Sequence, residues 1–136
     1  MKKVILPLVY RDKVNKNGWR IPLCVFKKSF EDERIKEMLK TNSFFIKDSK
    51  EYGKTRETDI NNSLGKIISF DLDNLTAEVS LFDDDFDIVN KGIFLEFLSP
   101  KDKRFTINNI IIITSCLLTG ATILDIEKSS YLESPK

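Results

Sequence analysis

Residues 64–82 read LGKIISFDLDNLTAEVSLF. Two apolar runs, residues 64–72 and 75–82, flank Asp73-Asn74. In the second run Leu75, Ala77, Val79 and Leu81 alternate with Thr76, Glu78, Ser80 and Phe82, so each set lines one face of a strand. Two strands joined by a short Asp-Asn turn make a β-hairpin. Upstream, Phe44-Phe45-Ile46 reads as a short strand. Before it, residues 23–40 read as one interrupted helix. Pro22 suits its first turn, Ser29 with Asp32 approximates a capping box, and Phe30, Ile35, Met38 and Leu39 share a face. Residues 11–20 are polar and hold the Asn17-Gly18 turn signal. Residues 3–10 form a first strand, with Pro7 marking an edge or a bend. Downstream, Asp83-Asp84-Asp85 opens a short helix to about Asn90, its acids at the positive end of the dipole and Gly92 at its C-terminal cap. Residues 93–98 form a strand that Pro100 stops. Residues 105–114 and 121–126 complete the strands, the last after a turn near Thr119-Gly120. The class is α+β, with one domain over residues 1–128 and a polar tail over 129–136.

Composition agrees with a β-rich core. The chain has 136 residues, 41% hydrophobic and 32% charged, with ten Phe. A chain this long buries a core without disulfide or metal staples. Twenty-two basic and 21 acidic residues leave a net charge of +1, too little field to draw the protein to nucleic acid or an anionic membrane. Residues 105–124 carry no charge, but their Asn, Ser, Thr and Gly content and many β-branched residues suit strands better than a helix in lipid. The apolar run after Met1-Lys2-Lys3 ends at Arg11-Asp12, too short for a signal peptide. Cys24 and Cys116, far apart and each beside apolar residues, are expected as two buried, reduced thiols.

No histidine occurs in the chain. That excludes Ser-His-Asp and Cys-His catalysis and leaves zinc without a plausible ligand set. No Gly-rich phosphate loop is present, so neither a cofactor nor a metal is expected. Asp83-Asp84-Asp85-x-Asp87 lacks the Gly and Glu of a calcium loop and reads as a solvated helix start. Ser99 near Lys101 and Lys103 offers a nucleophile–base pair, but a strand end followed by a Pro turn with surface lysines is the stronger reading. Trp19 is an anchor for a partner or a lid over the first helix. Residues 47–63 are the longest polar stretch, and a compact domain rarely keeps one without a purpose. Lys47, Tyr52 and Arg56 in it are therefore partner-binding candidates with Trp19.

Three segments carry a family resemblance. Asn15-Lys-Asn17-Gly18-Trp-Arg-Ile-Pro22 lies between a strand and a helix. Leu64-Gly65-Lys66-Ile67 opens the hairpin, and IIIITSCLLTGATI spans residues 110–123. In this order, over about residues 3–126, they resemble the tailed-phage prohead maturation proteases, relatives of herpesvirus assemblin. The resemblance implies a mainly antiparallel barrel-like sheet of six to seven strands flanked by helices. It also implies a serine in the strand of residues 93–99, where Ser99 stands as a remnant, and a histidine within residues 47–58, where none occurs. A serine without a base is a poor nucleophile. The expectation is a catalytically inactive phage structural protein, an auxiliary or decoration component of the capsid. It would be assembled in the host cytoplasm, carried in the virion, and hold capsid subunits, and copies of itself, through protein contacts. The alternatives are an active Ser/Lys peptidase of phage head proteins and a small inhibitor of a host protein.

Overall fold

The computed structural model describes residues 1–48 and 63–131. Along them run β1 (Lys2–Pro7), β2 (Trp19–Arg20), α1 (Leu23–Lys28), α2 (Glu33–Lys40), β3 (Phe45–Lys47), β4 (Ser63–Asp71), β5 (Thr76–Leu81), β6 (Lys91–Leu98), β7 (Arg104–Ile107), β8 (Ile110–Ile113) and β9 (Leu117–Asp125). Six strands form one sheet, ordered β1-β5-β4-β3-β9-β6, and three short strands form another, β2-β8-β7. In the large sheet every pairing is antiparallel except β3 with β9. The protein is α+β with strands predominating, and the large sheet curls into a half-barrel.

Two bulges contribute to the curl. Ile68 is an extra residue in β4, because the register steps from Ile67↔Val79 to Ser69↔Glu78. Thr119 is an extra residue in β9, opposite the Glu96–Phe97 step of β6. Each added residue bends its strand and raises the local twist. The curl brings the two edge strands together. Beyond Pro7 the chain leaves β5, Leu8 bridges Ile93 in β6, and the Val9 amide donates to the Ile93 carbonyl at 2.9 Å. Pro7 thus ends an edge strand at a bend, where its missing N–H costs no ladder bond.

The core lies between the sheet and the helices. Phe26, Ile35, Ile46, Ile67, Val79, Leu81, Ile93 and Leu118 are fully buried in one cluster. A file of rings links it to the sheet: Tyr10 stacks on Phe26 at 3.8 Å, Phe26 meets Phe30 edge-on at 5.1 Å, and Phe30 meets Phe70 at 4.8 Å. The Arg34 guanidinium, on α2, donates to the Leu118 carbonyl and ties the helix to β9.

Several local expectations are corrected. The interrupted helix stands, but Asp32 is the cap of its second half, with extended backbone and a carboxylate accepting from the Arg34 amide at 2.9 Å. Ser29 instead ends α1, its hydroxyl donating to the Phe26 carbonyl. The hairpin between β4 and β5 turns over residues 72–75, twice the expected length, because the Asp71 carboxylate accepts from the Asp73 and Asn74 amides. Residues 83–90 form no helix. Asp83 and Asp87 each accept from the amide two residues on, at 2.9 Å, and such side-chain bonds compete with helical ones. Gly92 is accordingly no helix cap but a residue of β6.

Residues 105–114 are two strands, not one. Asn108 and Asn109, at φ +50 and +65, make the reversal of a two-residue hairpin. Thr119 and Gly120 lie inside β9, and the break between strands falls earlier, over residues 114–116. No helix of the described residues is long and apolar enough to cross a membrane. Cys24 is exposed and Cys116 buried, both as free thiols. Residues 129–131 are not a loose tail. Ser129 is buried, the Ser130 carbonyl accepts from the Lys16 amide at 2.8 Å, and Tyr131 meets Tyr10 edge-on.

Candidate functional site

Asn15 organises the loop before β2. Its side-chain oxygen accepts from the Asn17 amide at 2.9 Å and the Trp19 amide at 3.1 Å, while its own amide donates to the Trp19 carbonyl. This short-range bonding suits Asn, whose side chain substitutes for a backbone acceptor in a turn. The closed loop delivers Trp19 into β2, where it pairs with Ile111 of β8. The Arg104 guanidinium of β7 lies 5.0 Å over the indole, within the range of a cation–π contact.

Between this loop, the end of β6 and the C-terminal segment opens a cleft of about 450 Å³. Asn15, Asn17, Trp19, Phe97, Ser99 and Tyr131 line it, with Ile21, Ile113 and Cys116. The Asn17 side chain and the side-chain nitrogen Nδ2 of Asn15 make no hydrogen bond among the described residues. The cleft therefore offers three aromatic rings, the side-chain amide of Asn17 and the Nδ2 donor of Asn15. Beside it Arg20 donates to Asp12 at 2.9 Å, and this hydrogen bond holds the Asp12 carboxyl below the usual carboxylate range. Burial pushes the Cys116 thiol up to about 11, so it is an uncharged, weakly nucleophilic wall of the cleft at neutral pH.

Trp19 and Ser99, 80 residues apart in sequence, thus come together. The Ser99 hydroxyl donates to the Ser115 carbonyl at 3.1 Å, and no lysine ammonium bonds to it among the described residues. Lys101 and Lys103 lie in an exposed 3-10 turn that leads into β7. Lys47, expected on a polar surface loop, is buried at the end of β3, its ammonium 3.2 Å from Glu96. Tyr52 and Arg56 fall outside the described residues. Among those described, no three Asp, Glu or Cys side chains converge as metal ligands.

Two contributors were not singled out from sequence. Tyr131 sits in a polar segment, and only its being an isolated aromatic there hinted at burial. Glu96, the single charge among residues 93–98, signalled an internal partner. No family model, curated protein or solved structure matches the chain. Fold and cleft define a mainly antiparallel α+β domain with an aromatic-lined groove on its surface.

Proposed function

We propose that the protein acts by binding another protein chain in the Trp19 cleft, as a non-catalytic auxiliary or decoration component of a phage capsid. One observation supports the binding reading above the rest. Trp19, Phe97 and Tyr131 sit beside the Asn17 side-chain amide and the Asn15 Nδ2, neither of which bonds to a described residue. Apolar walls with a few placed hydrogen-bonding groups suit an apolar side chain flanked by peptide units. The absence of histidine from the sequence and the engagement of the Ser99 hydroxyl by a carbonyl speak for binding over peptide cleavage. The capsid as partner, and the virion as location, rest on the resemblance of the three segments to prohead proteases.

Quantitative mass spectrometry of purified particles tests it. A decoration component is present in tens to hundreds of copies per particle, and Trp19→Ala lowers that occupancy at least about tenfold while the fold persists. Absence from particles overturns the capsid reading in favour of a host-directed inhibitor. Undiminished occupancy of Trp19→Ala removes the cleft as the contact.

A further inference from the structure

Among the described residues the edge strand β7 has two faces and one open side, and all three can be read from the pairing. Opposed residues in an antiparallel pair share a face. Phe105 opposes Ile112 and Ile107 opposes Ile110, so these four apolar side chains lie together. Phe105 is 46% and Ile107 54% exposed. Arg104, the single charge of β7, belongs to the other face, over Trp19.

The open side follows from one hydrogen bond. The Ile111 amide donates to the Gly18 carbonyl at 2.8 Å, away from β7. The Thr106–Ile111 pair is therefore one of the non-hydrogen-bonded pairs that alternate along an antiparallel ladder. Thr106, and by the same alternation Arg104, must aim their N–H and C=O groups outward. β7 also lacks the usual protection of an exposed edge: no proline, no bulge and no charge on its apolar face.

We propose that β7 pairs with β7 of a second copy, antiparallel, about a two-fold axis at Phe105. Arg104 of each copy then opposes Thr106 of the other. All the outward groups of both strands are satisfied by about four main-chain hydrogen bonds. Phe105 meets Phe105 of the second copy, an aromatic cross-strand pair. The two three-stranded sheets become one six-stranded sheet with a continuous apolar face. No charge faces its like directly. The main-chain bonds are open to any extended segment, but the pairing of Phe105 with itself and of Arg104 with Thr106, with no like charges opposed, points to a second copy as the occupant. The contact is isologous and closes at two. It does not use the Trp19 cleft, so it stands or falls apart from the binding function.

The test is sedimentation velocity from micromolar to millimolar protein, with disulfide trapping in a Cys24→Ser background. The unmodified chain dimerises with concentration. Thr106→Pro, which removes an amide the monomer leaves outward, weakens dimerisation at least about tenfold. Phe105→Lys, at an exposed position, does the same by opposing like charges, and serves if the proline variant misfolds. Phe105→Cys forms an intermolecular disulfide on mild oxidation, whereas Ile107→Cys, too far from its counterpart to bridge, does not. A chain that stays monomeric and untrapped overturns the proposal, as does equal trapping at Ile107→Cys. Protection of the β7 amides only on adding a different virion protein assigns the edge to that protein and overturns self-pairing.

Discussion

Lys47 carries the clearest lesson at the scale of single residues. Sequence neighbours place it at the head of a polar stretch, yet its side chain is 7% exposed and ion-paired with Glu96, itself 18% exposed. The Thr122 hydroxyl lies 3.5 Å from the same carboxylate. The pairing arises because β3 runs parallel to β9, which sets Lys47 beside Thr122, and β6 flanks β9 from the other side. Removing one member of a buried pair strands the other charge, whereas replacing both with apolar groups does not. Lys47→Met is expected to cost about 2–3 kcal/mol in urea unfolding, and Lys47→Met with Glu96→Leu to regain most of it. A double variant as unstable as the single one would show that the pair is not the source of the loss. Trp19 and Ser99 were both recognisable as candidate residues. That they share one cleft was not, since nothing in either local sequence reports on the other.

Among the elements, legibility followed the competition between side chain and backbone. The strands β4 and β5 were readable from alternation, because one buried face imposes a period of two. The helix expected at residues 83–90 does not form, for a reason that lies in its own residues. The aspartates that suit a helix start also bond the amide two residues on, and here the local turn wins twice. The Asn108-Asn109 reversal was present in the sequence as an Asn pair inside an isoleucine-rich run, and it divides one expected strand into β7 and β8. Both residues hold positive φ, which Asn tolerates and β-branched residues do not. Asn109→Val is expected to lower stability by about 1–2 kcal/mol, and Asn109→Gly to preserve it, as read from denaturant midpoints. An unaffected valine variant would mean that the hairpin turn is not stabilised as described.

The whole molecule depends on its sheet closing on itself, and the closure passes over Gly92. A side chain there would begin 2.7 Å from the Val9 side chain and 3.2 Å from the Pro7 carbonyl oxygen. Gly92→Val should therefore wedge the chain after β1 away from β6. We expect a loss of about 2–3 kcal/mol, seen as a lower urea midpoint with an unchanged slope. A midpoint equal to the parent's would mean that the closure is not needed for stability. Read locally this glycine suits a helix cap, because a cap is a local role and a crossing of distant strands leaves no local mark. By itself the sequence determined the α+β class, the interrupted helix, the central hairpin and the exclusion of histidine chemistry. Each of these follows from residue type or from a period of two to four positions. Only the tertiary structure decided the strand order, the burial of Lys47, the docking of residues 129–131 and the meeting of Trp19 with Ser99. These are long-range contacts, settled by how the curled sheet shares one core among segments that carry no record of each other.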